Sequence, residues 1–410
     1  MTQIQGGNPA SNQAGDQNTD QGSAAQQSMA LHARHRGKIQ TGLKVPLDTR
    51  DDLSIAYTPG VAAPCEAIAA DVSRSFDLTC RGNTVAIVTD GSAVLGLGNI
   101  GPEAAMPVME GKAALFKAFA DVDAWPICLA TQETDEIIAA VRAIAPGFGG
   151  SNLEDIAAPR CFEIEDSLQD LGIPVFHDDQ HGTAIVLLAG LLNAAKVVGR
   201  PIEEMRVVIS GAGAAGTSIA RLLRCVHQDP SVCVPVRDVI VCDSKGAIHA
   251  RRTDLNHEKT GLLAYTNRES RVGILKDVLV GADVFVGVSK GGLLDADDVR
   301  TMAADPIILA MANPVPEIMP GEAVAAGAAV VGTGRSAFPN QVNNVLAFPG
   351  IFRGALDARA PRITPAMKLA AAHALADAVG NPSPERILPD PLDKSVAPIV
   401  AQAVRDAAEG

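Results

Sequence analysis

The 410-residue sequence is poor in aromatic residues. Phe, Trp and Tyr make up 3% of the chain, with one Trp and two Tyr, whereas glycine occurs 38 times. Small residues in this proportion favour helices that lie close to a sheet and disfavour an aromatic-rich all-β fold. The two tyrosines are Tyr57 and Tyr265. Tyr265 stands in no motif and is predicted to be a surface or packing residue, so each tyrosine needs a separate explanation.

Basic residues are also scarce. The chain has 34 Lys and Arg against 47 Asp and Glu, a formal net charge of -13. This balance argues against binding to nucleic acid or to an anionic membrane surface, so any anionic ligand must be held by local positive groups. The length is sufficient for two or three domains, each with its own core.

The sequence has no C-x-x-C pair and no long apolar run. Its seven cysteines stand mostly in apolar contexts and are predicted to be reduced core residues. The longest apolar candidate, residues 184–192, is about half of the roughly 20 residues that a membrane span needs. The start lacks the layout of a signal peptide, so a cytoplasmic location is expected. Residues 1–28 are rich in Gln, Asn, Gly and Ser and predict a disordered tail.

The pattern of apolar segments predicts an α/β fold. From Met205 onward, short β-branched runs alternate with helical stretches, which is typical of a Rossmann-like doubly wound parallel sheet spanning residues 181–345. The strand 84–89, the helix 109–120, the helix 134–144 and two further short apolar runs predict a second α/β domain over residues 29–180. Residues 346–410 are expected to form a helical segment that packs back on this N-terminal domain.

The strongest local motif is a glycine-rich turn between a strand and a helix. Gly211, Gly213 and Gly216 form G-x-G-x-x-G directly after an apolar strand. In that context Gly211 permits the turn, Gly213 lets the backbone approach a pyrophosphate, and Gly216 packs the helix on the strand. A purely structural turn is the alternative. The predicted cofactor contacts in this turn and after later strands are Gly211, Ala212, Gly213, Ala214, Ala215, Gly216, Ser289 and Asn313.

The end of the next strand bears on coenzyme choice. Asp243 lies 32 residues after Gly211. A carboxylate there would accept hydrogen bonds from a ribose 2′-hydroxyl and repel a 2′-phosphate, which favours NAD over NADP. Lys245 nearby could instead contact a phosphate, so NADP stays open.

Two acidic pairs predict a site for a divalent cation. Glu154 and Asp155 precede Asp178 and Asp179 by 24 residues. Carboxylate oxygens after neighbouring strands suit Mg²⁺ or Mn²⁺. The alternative is that the first pair is a solvated turn and the second a helix N-cap. Zinc is disfavoured, because the nearby histidines have no cysteine partners.

A lysine on an apolar helix is the remaining candidate. The segment GLGNIG before it resembles a second dinucleotide turn, but Pro102 and Pro107 are expected to interrupt any helix that follows at once. Lys112 then stands among apolar residues. It is either a surface side chain or a desolvated base with a lowered pKa.

Taken together, these segments resemble the malic enzymes, and specifically their short bacterial form. The matching segments, in family order, are SIAYTPGVA, TDGSAVLGLGNIG, VMEGKAALFKAFADVDAWPICL, LEDIAAPRCFEIE, PVFHDDQHGTA, GAGAAG, VCDSKG, LAMANPVPEI and FPNQVNNVLAFPG. The resemblance implies oxidative decarboxylation of L-malate to pyruvate and CO₂ with reduction of NAD or NADP, dependent on Mg²⁺ or Mn²⁺. A malolactic-type or oxaloacetate-decarboxylating relative, or a catalytically silent dinucleotide-binding sensor, is the alternative.

The resemblance also implies residue roles. Glu154, Asp155 and Asp179 match the family's metal ligands, with Asp178 beside them. Lys112 matches the family's general base, and Tyr57 matches its general acid. Asn313 and Asn344 match asparagines that contact the substrate, and Asn343 is adjacent to Asn344.

One position departs from the family pattern. Many large relatives have arginine where this chain has Ala93, so the substrate carboxylate needs another positive partner. A homodimer is expected, in which Tyr57 or Lys112 could reach the partner's site. No additional phosphotransacetylase-like domain is expected after residue 410.

Overall fold

A computed structural model describes residues 19–409 of the chain. The chain consists of two compact units, Met1–Leu43 and Lys44–Gly410. In the first unit, α1 (Thr19–His35) is a helix whose residues 24–35 are almost all exposed. The prediction of a disordered tail is therefore wrong for residues 19–28, because the Ala and Gln residues there have good helix propensity. The rest of the predicted tail lies outside the described residues.

The second unit alternates helices and strands. Its strands are β1 (Thr84–Thr89), β2 (Asp123–Cys128), β3 (Gly150–Leu153), β4 (Val175–His177), β5 (Arg206–Ser210), β6 (Asp238–Asp243), β7 (Gly246–Ala247), β8 (Val284–Gly287), β9 (Ile307–Ala310) and β10 (Val330–Thr333). Its helices are α2 (Arg50–Ala56), α3 (Ala62–Ala70), α4 (Ser75–Leu78), α5 (Pro102–Ala120), α6 (Thr134–Ile144), α7 (Arg160–Ser167), α8 (Asp178–Val198), α9 (Ala214–Leu223), α10 (His257–Leu262), α11 (Leu275–Leu279), α12 (Ala296–Arg300), α13 (Pro320–Ala325), α14 (Phe348–Asp357), α15 (Pro365–Asp377) and α16 (Val396–Glu409).

Two sheets form the framework of this unit. The first has the strand order β2-β1-β3-β4 and is parallel throughout. The second has the order β10-β9-β8-β5-β6-β7, in which β7 alone pairs antiparallel. The strand order reverses at β5, and ligands of doubly wound sheets bind at such a switch point. The predicted α/β class, with a doubly wound sheet and a second α/β sheet, is confirmed.

The strand β3 had no signal in the sequence. Its residues are Gly-Ser-Asn-Leu, which have low β propensity apart from the leucine, yet all four are buried between β1 and β4. Gly150 is required by space, because a Cβ there would lie 3.1 Å from the Phe352 ring. The tertiary contacts of the sheet therefore override the local preference.

The long helix α8 forms much of the core between the sheets. It begins at Asp178 and ends at Val198, and the residue that caps it, Gly199, has a φ of 64°. Among the described residues it is the one helix long and apolar enough to cross a membrane by composition, but 67% of its apolar window is buried inside the protein. That burial is typical of a core helix.

The start of α5 corrects a prediction. A helix does follow the GLGNIG segment at once, because Pro102 occupies the first helical turn, where a missing N–H costs little. Pro107 lies within the same helix. The expectation that prolines would interrupt a helix here is wrong.

The cysteines also differ from expectation. Cys225 and Cys233, in the loop after α9, form a disulfide with their Cα atoms 5.8 Å apart. Cys65 and Cys80 are exposed, whereas Cys161 and Cys242 are buried. The prediction of reduced core cysteines is therefore wrong for four of the seven, because the residues flanking them form loops and exposed helices, not core strands.

We expect the replacement of Gly216 by alanine to destabilise the second sheet. A Cβ at this position would lie 1.8 Å from the Gly211 carbonyl oxygen, so α9 would have to move away from β5. Overpacking of this kind costs about 1–3 kcal/mol. Chemical denaturation followed by circular dichroism should show this loss.

The matched control is Gly213→Ala. A Cβ at Gly213 would meet no atom within 4 Å, so its free energy of unfolding should stay near that of the unaltered chain. Equal stability of the two variants would contradict the packing role of Gly216.

Candidate active site

Acidic residues of the first sheet lie together at the carboxyl ends of its strands. Three parallel strands, β1, β3 and β4, end side by side. Asp90 follows β1, Glu154 and Asp155 follow β3, and Asp178 and Asp179 open α8 directly after β4. Because the carboxyl ends of parallel strands share one edge, residues far apart in sequence become neighbours.

Three of these carboxylates form a compact group. Glu154, Asp155 and Asp179 each offer an oxygen, and these oxygens lie within 4.8 Å of one another. The Asp155 backbone N–H donates to Asp179 Oδ2 at 2.8 Å, and the Asn152 side chain donates to Glu154 Oε2 at 2.8 Å. These bonds hold the oxygens in place and leave others for a ligand.

The electrostatics of this group fit a bound cation. Burial raises the pKa of Glu154, Asp155 and Asp179, and repulsion between the neighbouring carboxylates adds to the effect. Asp155 Oδ2 is buried and has no hydrogen-bond partner among the described residues. A hard divalent cation with oxygen ligands would occupy these oxygens and offset their repulsion.

Lys112 lies against the same carboxylates. Only 7% of its side chain is exposed, and Nζ lies 2.9 Å from Glu154 Oε1 and 2.5 Å from Asp178 Oδ2. It also lies 4.1 Å from the centroid of the Phe348 ring. Helix α5 presents it to the site, and α14 covers it with that ring.

The burial of Lys112 contradicts the hypothesis of a surface side chain. Burial alone would lower its pKa, but Asp178 and Glu154 raise the pKa above its ordinary value. The neighbouring carboxylates therefore keep the proton on the buried amine when no cation is bound to them. Sequence could not show this, because the carboxylates that decide the balance lie 42 and 66 residues away.

The glycine turn faces these carboxylates from the second sheet. Gly211 has a φ of 126°, and a Cβ there would lie 2.7 Å from the Val288 carbonyl oxygen. Gly213 precedes the first residue of α9, so the helix N-terminus opens at this turn. Beside it, Ser210 Oγ and Ser289 Oγ lie 3.0 Å apart.

One cleft joins the two sheets. Its volume is about 500 Å³. The predicted site residues that line it are Asp155, Asp179, Gly213, Ala214, Ala215, Ser289, Asn313, Asn343 and Asn344. The structure thus brings two of the three candidate metal ligands, half of the candidate cofactor turn and the three candidate substrate asparagines to one cavity, whereas Glu154, Gly211, Ala212 and Gly216 do not line it.

Tyr57 is a predicted site residue that does not line this cleft within the described part of one chain. It ends α2, and its exposure is 65%. The helices α2 and α3 bury no residue at all.

Asp243 lies at the end of β6 and is already paired. Its carboxylate accepts hydrogen bonds from Arg252 Nη1 and Nη2 at 2.7 and 2.9 Å and from Lys259 Nζ at 2.7 Å. Burial raises the pKa of the Asp243 carboxyl, but these hydrogen bonds outweigh burial and bring the pKa below its usual range. Lys245, the alternative phosphate contact, pairs with Asp254 at 2.7 Å.

Sequence reasoning missed two residues near the cleft. Glu317 is fully buried, and its carboxylate accepts from the backbone N–H groups of Ser289 and Ala312 at 3.2 and 3.1 Å. It thereby holds the chain after β8 and β9. Arg160 donates to Asp90 Oδ2 at 3.0 Å and to Ser92 Oγ at 3.0 Å, next to Ala93. A carboxylate within the apolar NPVPEI segment was the available signal for Glu317.

Known proteins match almost the whole chain. A model of the malic enzyme N-terminal domain matches residues 36–169, and a model of the malic enzyme NAD-binding domain matches residues 180–409. A bifunctional malic/malolactic enzyme from Bacillus subtilis is 56% identical over 94% of this chain and 93% of its own. An NAD-dependent malic enzyme from Geobacillus stearothermophilus is also 56% identical, over 91% of this chain and 77% of its own.

A solved structure agrees with the sequence relatives. The NAD-dependent malic enzyme of Thermotoga maritima is 49% identical, and the comparison covers 92% of this chain and 98% of that one with a TM-score of 0.88. Family models that span most of the chain, close relatives and a matching structure all carry the same assignment. The chain belongs to the malic enzyme family.

Proposed function

We propose that this chain catalyses the oxidative decarboxylation of L-malate to pyruvate and CO₂, with reduction of NAD or NADP and with Mg²⁺ or Mn²⁺ as the metal. The observation that carries the proposal is the shared cleft. Asp155 and Asp179 line one wall, and the Gly213 turn lines the other. A substrate held by the carboxylate side would therefore face a nicotinamide held by the glycine side.

Glu154, Asp155 and Asp179 would hold the divalent cation. When bound, such a cation supplies Lewis acidity that polarises a hydroxyl or carbonyl oxygen. Asn313, Asn343 and Asn344 line the same cleft and offer amide groups to a dicarboxylate substrate.

Lys112 and Asp178 form the proton-transfer pair of the oxidation step. Asp178 Oδ2 lies 2.5 Å from Nζ and would take the lysine proton in the reacting complex, which leaves a neutral amine there. The amine then accepts the proton of the malate C2 hydroxyl while hydride leaves C2 for the nicotinamide ring. The C2–O bond becomes a carbonyl, and the electrons leave with the reduced coenzyme.

Loss of CO₂ follows from the oxidised substrate. The bond between C3 and the C4 carboxylate breaks, and its electron pair passes to C3 and the C2 carbonyl as an enolate. Protonation at C3 then gives pyruvate. Tyr57 is the proton donor in this proposal, because its phenolic hydroxyl is a hydrogen-bond donor that can act as a general acid.

A malolactic reaction is the second candidate, since the Bacillus subtilis relative is named a bifunctional malic/malolactic enzyme. In that reaction the reduced coenzyme would stay bound and return its hydride to C2 of pyruvate. Lactate would then form from malate without net accumulation of NADH or NADPH. Product analysis separates the two activities.

With malate, coenzyme and Mn²⁺, we expect pyruvate and reduced coenzyme to form in equal amounts, and a chelator should abolish the reaction. Asp179→Asn should lose Mn²⁺ binding by at least about tenfold, because it removes one charged ligand. The metal must displace protons from carboxyl groups whose pKa is raised, so Mn²⁺ affinity should increase with rising pH. Isothermal titration calorimetry measures both effects.

The control is Asp297→Asn. This side chain is 91% exposed and pairs only with Arg300 among the described residues, so Mn²⁺ binding should not change. Unaltered Mn²⁺ binding in Asp179→Asn, or activity that survives chelation, would contradict the metal assignment.

The exposed position of Tyr57 supports a homodimer with shared sites. Tyr57 ends a helix pair that buries nothing within its own chain. Leu53, Ile55 and Val61 from the same segment are also exposed apolar residues, and a contiguous exposed apolar patch indicates an interaction surface. We propose that this surface docks on a second copy and brings Tyr57 to the site of that copy.

Mixing two inactive variants tests the shared site. Lys112→Ala should lower kcat by about 10²–10⁴-fold, and Tyr57→Phe should also be nearly inactive, through loss of a general base and a general acid. If sites are shared, co-refolded mixtures regain up to about a quarter of the unaltered activity, because half of the chains form mixed dimers with one intact site each. Steady-state rates measure the recovery.

A mixture of Lys112→Ala with Lys112→Gln is the matched control and should regain nothing. Absence of recovery in the first mixture, with mixed dimers demonstrated by mass, would place Tyr57 and Lys112 in the same chain's site.

The end of β6 supports a preference for NAD. Arg252 and Lys259 already bind Asp243, and Lys245 and Arg252 bind Asp254. A 2′-phosphate would therefore meet two carboxylates and cations that are already paired. A ribose 2′-hydroxyl carries no charge and escapes this repulsion.

Removing the carboxylate should shift the preference. In Asp243→Ala, Lys259 is released and Arg252 keeps only its pairing with Asp254, so both can bind a phosphate. We expect kcat/KM for NADP⁺ relative to NAD⁺ to rise by at least about tenfold.

The double variant that combines Asp243→Ala with Lys259→Ala should lose much of this gain in kcat/KM for NADP⁺ relative to NAD⁺. An unchanged coenzyme ratio in Asp243→Ala would show that this carboxylate does not set the preference.

A further inference from the structure

A second cavity lies behind the active-site cleft. Its volume is about 450 Å³, and it is formed by α7, α8, α9 and the chain that leads into α15. Among the described residues, none lines both cavities. Helix α8 gives Asp179 and Thr183 to the cleft but Gln180 and His181 to this cavity. The proposed reaction uses none of the residues that line it.

The charged groups of this cavity differ from those of the protein as a whole. Three basic side chains line it, namely Arg221, Arg362 and Lys368, against two carboxylates, Glu165 and Asp166. The whole chain, in contrast, carries a net charge of -13. Arg221 lies 3.8 Å from Glu258 Oε2, whereas Arg362 and Lys368 form no ion pair among the described residues and can attract an anion to this point.

The more buried of the two carboxylates, that of Glu165, already has hydrogen-bond partners within the protein. Glu165 accepts hydrogen bonds from the His177 backbone N–H at 3.1 Å and from the Gln180 amide at 3.2 Å, and it contacts His181 Nε2 at 2.9 Å. Burial opposes its ionisation, but His181 and other neighbours lower the pKa of Glu165 to about 2. Its carboxylate is therefore hydrogen-bonded on the α8 side, and among the described residues it forms no ion pair with Lys368 or the two arginines.

Lys368 lacks a partner for its charge. Among residues 19–409, its ammonium makes no hydrogen bond or ion pair. Lys368 Nζ lies 5.8 Å from the centroid of the Phe176 ring. Burial lowers its pKa, although Glu165 and Asp166 attract the charge from a longer distance. A partly buried ammonium without a hydrogen-bond acceptor gains free energy when an anion binds it.

The remaining lining is apolar. Phe162, Ile185, Leu222 and Ile363 contribute hydrocarbon surface. Arg221 and Arg362 are exposed residues, so they stand where the cavity meets solvent, whereas Lys368 is half-buried. A ligand with both an anionic group and an apolar body matches this division.

We propose that this cavity binds a small organic anion, with its carboxylate or phosphate group on Lys368 and the two arginines and its apolar body against Ile185 and Leu222. It is a ligand site separate from the malate and coenzyme sites. Its existence does not depend on the reaction proposed above, because the two cavities share no lining residue among those described.

Calorimetric titration of the full chain with phenyl phosphate tests this site. We expect saturable binding in the presence of saturating NAD⁺, and the same binding after Mn²⁺ is removed by a chelator. Lys368→Met should weaken it by at least about tenfold, because the charge-assisted hydrogen bond is lost. Benzoate carries the other head group, and the tighter of the two ligands identifies the group that the site prefers.

Two controls separate this site from others. Lys394→Met removes an exposed lysine that does not line the cavity and should leave binding unchanged, and neutral benzyl alcohol should not bind. If Lys368→Met does not fold, Arg362→Met at the cavity mouth takes its place. Binding that disappears with NAD⁺ or without Mn²⁺, that is equal in Lys368→Met and Lys394→Met, or that is undetectable would overturn the proposal.

Discussion

An excess of buried negative charge is the constraint on which the rest of this structure depends. Glu154, Asp155, Asp178 and Asp179 meet at the ends of β3 and β4, and one ammonium, that of Lys112, lies among them. Four carboxylates and one amine cannot all be ionised at low cost in a buried place. The proposed divalent cation would remove this conflict, and the order of the strands, the position of α5 and the cover of α14 together place the oxygens that would hold it.

The second sheet could be predicted from sequence almost residue by residue. Its strand 206–210 is a β-branched run that ends at a glycine turn, so local preference and tertiary position agree. The first sheet is different at β3, where Gly-Ser-Asn-Leu becomes a strand only because β1 and β4 provide partners on both sides. Local propensity carries no information about such partners, and the same limit explains the unexpected start of α5 at Pro102.

In the candidate site too, some features could be predicted from sequence and others could not. Carboxylates that follow strands could be identified from sequence, because topology brings strand ends together. The protonation of Lys112, the pairing of Asp243 with Arg252 and the exposure of Tyr57 could not, because each depends on groups distant in sequence. Residue type and motif thus indicate which groups take part, and only the assembled structure indicates their charge and neighbours.

The two halves of the catalytic apparatus belong to segments of very different local stability. Asp178 and Asp179 open a helix that is buried along most of its length, so hydrogen exchange there requires opening of the core. Tyr57 ends a seven-residue helix without any buried side chain, whose amides can exchange through local fraying. In one chain alone, the proposed proton donor therefore stands on a segment that can fray while the carboxylate cluster keeps its geometry, so docking on a second copy would be what holds Tyr57 at a site.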